Sequence, residues 1–175
     1  MRWVALLRAV NLGARNKVPM AELRTLLESA GYENVRTYIA SGNVLLDGPR
    51  SSKSVASGLE RLIADAFGVE TTAIMRTPRE LAAVVAGHPF GSDTSRSHVV
   101  FLAGKPTRAG SDRLAAVDCS PDRVVLAGAD VYLRYRAGVR GSRLSAAQLE
   151  HLLGVRGTHR NWRTVAALAE LAAGA

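Results

Sequence analysis

An α+β protein of two ferredoxin-like subdomains, with antiparallel sheets backed by helices and an added C-terminal helix, is what this sequence predicts. Three observations carry that expectation. By hydrophobic spacing the first half reads strand, helix, strand, strand, helix, strand, which is the ferredoxin-like order. The second half repeats that order as far as its second helix and then adds a helix, without a last strand. Glycine, proline and asparagine fall where turns and helix ends need them. A length of 175 residues with 47% hydrophobic content allows a sizeable core.

The elements follow in order. Trp3 to Val10 is short, apolar and flanked by polar residues, so it reads as a buried strand in which Arg8 shares a face with Leu6 and Val10. Residues 11–17 are a loop by composition. Pro19 suits a first helical turn, and Met20, Leu23, Leu26, Leu27 and Ala30 make a helical stripe closed by Gly31. Val35 to Ala40 alternates, Ser41-Gly42-Asn43 turns, and Val44 to Leu46 returns. A helix over about Ser54 to Phe67 ends at Gly68, and Thr71 to Arg76 is a strand. Thr77, Pro78 and Glu80 form a helix start with a capping box. The polar stretch from His88 to Ser97 is the expected boundary, giving subdomains over residues 1–90 and 97–175.

The second half opens with a strand over His98 to Ala103 and a weak helix over about Ser111 to Val117. Arg123 to Leu126 and Val131 to Arg136 make a hairpin. Ser145 and Gln148 form a capping box, with Leu144 positioned to staple against Leu149, and Gly154 ends that helix. A final helix runs from about Asn161 to Ala172. Asn161 is its cap, Trp162 lies on its apolar side, and His159 and Arg160 are expected to point outward.

Charge gives the strongest functional signal. The chain carries a net +8. The stretch from Arg134 to Arg163 holds seven arginines against one acid, Glu150, and so most of that excess. An anionic partner follows as an expectation, although an arginine-rich composition alone gives the same sum. Cys119 is the lone cysteine, so no intramolecular disulfide forms. The apolar run at the N-terminus is too short for a signal peptide and no stretch suits a membrane span, so a cytoplasmic protein without membrane association is expected. His88, His98, His151 and His159 lack ligand spacing, so neither a metal nor a cofactor is expected.

Several segments resemble a known family. Residues 4–13 (VALLRAVNLG), 20–23 (MAEL), 35–43 (VRTYIASGN) and 160–165 (RNWRTV) are similar in order and spacing to the bacterial family designated domain of unknown function 1697. The resemblance implies two ferredoxin-like subdomains and no established activity. Its recurring positions match Arg8, Asn11, Gly13, Ser41, Gly42, Asn43, Asn161 and Trp162. The Gly138 to Arg143 loop departs from the family pattern, with Arg143 where lysine is usual, which weakens any chemistry that needs a deprotonatable amine.

These residues define the candidate ligand-binding set: Arg8, Asn11, Gly13, Ser41, Gly42, Asn43, Arg140, Arg143, Arg160 and Asn161. The first strand and its parallel successor are expected to adjoin, so that their carboxyl ends bring Arg8, Asn11, Ser41 and Asn43 together as a polar pocket. The competing account is a structural arginine and an ordinary Gly-Asn turn. The Gly138–Arg143 loop precedes a capped helix and suits an anion, but it is not a phosphate-loop motif. Tyr132, Arg134 and Arg136 share a strand face, as do Arg36 and Tyr38, and such faces stack bases when a sheet is open. Three functions therefore stand: non-catalytic binding of a nucleotide or nucleic acid, an enzyme acting on a small phosphorylated or carboxylated metabolite, and a protein-interaction module. A flat exposed Arg-Tyr surface, a deep pocket at Arg8 and Asn43, or an exposed apolar patch separates them. No catalytic residue is assigned.

Overall fold

Two runs of consecutive apolar residues, Val4 to Leu7 and Val99 to Leu102, form the central strands of two sheets and are buried on both faces. The computed structural model describes residues 1–139, 142 and 144–174. The chain divides into two compact units, Met1–Ala82 with Leu168–Ala175, and Ala83–Ala167.

In the first unit the order is β1 (Arg2–Leu7), α1 (Met20–Ser29), β2 (Glu33–Tyr38), β3 (Asn43–Asp47), α2 (Ser52–Phe67) and β4 (Ala73–Arg76). The strands lie in the order β2-β3-β1-β4, every neighbour antiparallel. This corrects the expected adjacency. β1 and β2 do not adjoin, because β3 returns between them. Leu23 and Leu27 of α1 and Val55, Leu59 and Ile63 of α2 pack on Trp3, Ala5, Leu7, Val44 and Leu46. Burying each such leucine stabilises the unit by about 1.5–3 kcal/mol. β1 ends three residues earlier than the apolar run suggests. Ala9 takes φ +58, which breaks the alternation, so Arg8 and Val10 do not share a strand face.

The helix α3 (Pro78–Ala86) follows, with the Thr77–Glu80 capping box formed at both bonds. The second sheet contains β5 (Ser97–Leu102), β6 (Arg123–Ala127), β7 (Asp130–Arg134) and β8 (Gly157–Asn161), in the order β6-β7-β5-β8. Helices α4 (Arg108–Ala115) and α5 (Ala146–Leu153) supply Leu114, Leu149 and Leu153 to a core with Val100, Leu102, Val131 and Leu133. α6 (Trp162–Ala173) closes the chain.

β8 is the strand that hydrophobic spacing missed. Its sequence, Gly-Thr-His-Arg-Asn, has no aliphatic residue to mark it. It completes the second sheet, so both halves read β-α-β-β-α-β-α. The duplication extends to side chains. Arg76 faces Val4 on β4, and Arg160 faces Val99 on β8. Both are buried, and each donates from Nη1 to the carbonyl of the residue before it, Met75 or His159, at 2.9 Å. The residue after each caps the next helix, Thr77 with Glu80 N and Asn161 with Thr164 N.

Candidate functional site

The loop after β1 and the β2–β3 turn do meet in the first unit. Leu7 N donates to Gly42 O at 2.8 Å, and Asn11 Nδ2 donates to Ala40 O at 2.8 Å. The same amide closes its own loop: Nδ2 donates to Val18 O and Oδ1 accepts from Val18 N, at 2.9 and 2.8 Å. Asn43 is fully buried, and its Nδ2 donates to Tyr38 O and Ser41 Oγ at 2.8 and 3.0 Å. Both asparagines therefore tie backbone together. Arg8 is half-buried and Gly13 and Ser41 are exposed. Gly42 has φ +82, and a Cβ there would clash with Leu7 and Val10, so only glycine fits.

The arginines that the sequence singled out in the second unit fall into three groups. Arg140 and Arg143 lie outside the described residues. Arg160 is 5% exposed, not outward-facing, and burial pulls its guanidinium down to about 10. It also donates to Thr158 Oγ1 at 2.7 Å, and Asn161 caps α6. Tyr132 is 4% exposed with its hydroxyl donating to Val84 O, so the expected open Arg-Tyr face does not exist around it. Trp162 is half-buried, its ring tilted on His88 at 4.3 Å.

Arg134 and Arg136, the remaining described arginines of the β7 end, belong to a cavity that sequence reasoning missed. Asp93, Ser95, Arg96, Pro121, Arg123, Arg134 and Arg136 line about 430 Å³. Register explains the clustering. Arg123 on β6 lies directly opposite Arg134 on β7, a like-charge pair that costs a few tenths of a kcal/mol or more. Three of the four guanidiniums are positioned by other contacts. Arg134 donates to Phe90 O at 3.0 Å and pairs with Asp93 at 3.1 Å. Arg96 Nη1 donates to Arg136 O. Arg123 lies 5.1 Å over the Phe90 ring. Bonds from Ser95, then the charges of Arg134 and Arg96, hold the Asp93 carboxyl below its usual range. Asp93 lines the cavity with the four arginines, and Asp122, between Pro121 and Arg123, accepts from Arg136 N at 2.8 Å, so arginine outnumbers acid and the cavity is positive. The signal in the sequence was the alternation of Arg134 and Arg136. Arg96 and Arg123 reach the cavity only through strand pairing.

Two other polar clusters lie in this unit. His88 Nε2 meets Ser97 Oγ at 2.8 Å, the geometry of an activated serine. Ser97 is 2% exposed, so an incoming carbonyl has no approach to it, and the bond serves packing. His98 and His159 stack at 4.7 Å with planes 6° apart, and Tyr135 meets both edge-on. His98 Nδ1 and His159 Nε2 are buried with no hydrogen-bond partner among the described residues. Burial, then His98 and Arg160, lowers His159 to about 4, and burial lowers His98. Parallel rings keep their lone pairs in separate planes, so the pair is a poor metal chelate. Among the described residues no group of three His, Cys, Asp or Glu is placed to hold a metal ion.

Fold and site together define an α+β protein of two four-stranded ferredoxin-like sheets with an arginine-lined cavity on the second. The model of a family of proteins of unknown function, DUF1697, matches residues 1–132, and the chain belongs to that family. A solved structure described as conserved bacterial protein SP0830 from Streptococcus pneumoniae is similar, with a TM-score of 0.74 and 22% identity over 98% of this chain and 97% of that one. At that identity the likeness concerns the fold alone. No curated protein matches the chain. Among the described residues no helix is long and apolar enough to cross a membrane.

Proposed function

We propose that this protein binds an anionic ligand, without catalysis, in the cavity lined by Arg96, Arg123, Arg134 and Arg136. The observation that carries the reading is the convergence of four guanidiniums, three of them fixed by their own contacts. Like charges brought together repel, and a bound anion converts that repulsion into attraction. Arginine forks suit phosphate and carboxylate oxygens, and their prior placement lowers the ordering cost of binding. The Ser97–His88 pair offers no accessible nucleophile, which supports binding over chemistry. Titration calorimetry with inorganic pyrophosphate at low salt tests it. Binding to the parent protein, lost in the Arg123→Ala, Arg136→Ala double variant, supports the reading; equal heats for both proteins refute it.

One observation favours a second reading, an enzyme pocket at the loops after β1 and β2. Ala9, Asn11, Asn16 and Ile39 all have φ of +50 to +58 there. Such strain gathers at functional loops, and Ile39, β-branched and 50% exposed, is the least expected of the four. An anion response that survives Arg123→Ala, Arg136→Ala and disappears in Arg8→Lys selects this reading.

A further inference from the structure

The chemistry of the arginine cavity narrows its ligand further, and this narrowing rests on the anion-binding reading above. We propose that the cavity recognises a phosphomonoester, reading the phosphate dianion and no nucleobase.

The lining offers donors and charge but no flat apolar surface. Its residues are four arginines, Asp93, Ser95 and Pro121. The nearby aromatic, Phe90, is buried, with Arg123 over its ring and His88 edge-on at 5.6 Å. A base therefore finds no aromatic platform in the lining, which is what sequence-tolerant nucleic-acid sites use. The 430 Å³ falls at the small end of ligand sites, enough for a phosphate and a compact substituent. Asp93 adds discrimination. Its carboxylate pairs with Arg134 at 3.1 Å, and Asp122 accepts from the backbone N of Arg136 at 2.8 Å, so the guanidiniums of Arg96, Arg123 and Arg136 are those left to face one phosphate. A polyanion running past the cavity meets the Asp93 carboxylate instead.

A phosphomonoester loses its second proton near pH 6. Binding of the dianion thus strengthens from pH 5.5 to 7.5, whereas sulfate, a dianion throughout, shows no such strengthening; Asp93, Asp122 and His88, the titratable groups beside the four arginines, act on both anions alike. The same group occurs on free phosphorylated small molecules and on phosphorylated side chains.

Calorimetric titration of the full chain tests this with ribose 5-phosphate, adenosine 5′-monophosphate, adenosine, a phosphoserine heptapeptide, sulfate and a single-stranded RNA of about twelve nucleotides. Ribose 5-phosphate and adenosine 5′-monophosphate are expected to bind within about threefold of each other, and adenosine not at all. Both phosphates weaken severalfold at pH 5.5 while sulfate does not. If adenosine 5′-monophosphate binds more than about tenfold tighter than ribose 5-phosphate, a base is read and the proposal is wrong. RNA binding more than about tenfold tighter, with a steep salt dependence, overturns it equally. A tenfold preference for the peptide places the phosphate on a protein, and parity or better for ribose 5-phosphate places it on a small molecule; both support the proposal. If pyrophosphate binds and no phosphomonoester does, this inference fails and the anion reading stands. If no anion binds, both fail.

Discussion

Acidification is expected to destabilise this protein through His159. The ring is stacked on His98, flanked by Tyr135 and next to Arg160, and its folded pKa is about 4 against an ordinary 6.5. Between those values the unfolded chain binds a proton that the folded chain refuses. Stability therefore rises with pH across that window and is lost as pH falls from about 6.5 to 4. The displacement corresponds to about 3 kcal/mol, a large share of the roughly 5–15 kcal/mol typical of a folded protein. The perturbation to compare is His159→Phe, which keeps an aromatic ring against His98 and cannot be charged. Urea denaturation at a series of pH values gives the unfolding free energy of both proteins. The substitution changes only the stacked imidazole pair, so the difference reports His159 together with its coupling to His98. The parent is expected to lose about 3 kcal/mol more than the variant between pH 7 and 4. Parallel curves would refute the assignment and show that the stacked imidazole is protonated without penalty.

The other expectations concern the two candidate sites. Arg136→Ala, on an exposed side chain, should change unfolding stability by less than about 0.5 kcal/mol and weaken pyrophosphate binding about tenfold, equivalent to about 1.4 kcal/mol; calorimetry and denaturation together check both. Asn43→Ala removes the amide that satisfies Tyr38 O in a fully buried place, so it should cost about 2–3 kcal/mol and leave pyrophosphate affinity unchanged. Gly42→Ala forces a Cβ against Leu7 and Val10 at positive φ, and a loss of more than about 3 kcal/mol is expected in thermal or urea unfolding.

Much of the fold was legible because its signals are local. The Thr77–Glu80 and Ser145–Gln148 boxes, and the left-handed caps at Gly68 and Gly154, form where the residue types place them. β8 was not legible, since Gly-Thr-His-Arg-Asn is held by pairing with β5 and not by its own apolar pattern. The Thr107 cap was missed because Gly110 and Ser111 weaken the helical signal of α4, whose start at Arg108 precedes the expected one. The meeting of the β1 loop with the β2–β3 turn was expected from a β1–β2 adjacency that does not exist; antiparallel β3, whose Asn43 lies opposite Leu6, brings the turn to the end of β1. Arginine density pointed to the right half of the chain and to Arg134 and Arg136. It did not separate the buried Arg160 from the cavity-lining residues, because burial depends on which strand pairs with which. Arg96 and Arg123 lie 38 and 11 residues before Arg134 in the numbering, and only the β5-β7-β6 pairing joins them.

The central claim is that four arginines of the second unit form one anion site. Its most direct test is calorimetric titration of inorganic pyrophosphate, at low salt and pH 7.5, into the parent protein, the Arg123→Ala, Arg136→Ala variant and an Arg36→Ala control on the exposed face of β2. Saturable binding to the parent and to the control, weakened about a hundredfold in the double variant, is the predicted result. Absence of binding to the parent, or equal weakening by Arg36→Ala, contradicts it and leaves the positive charge a property of the whole surface.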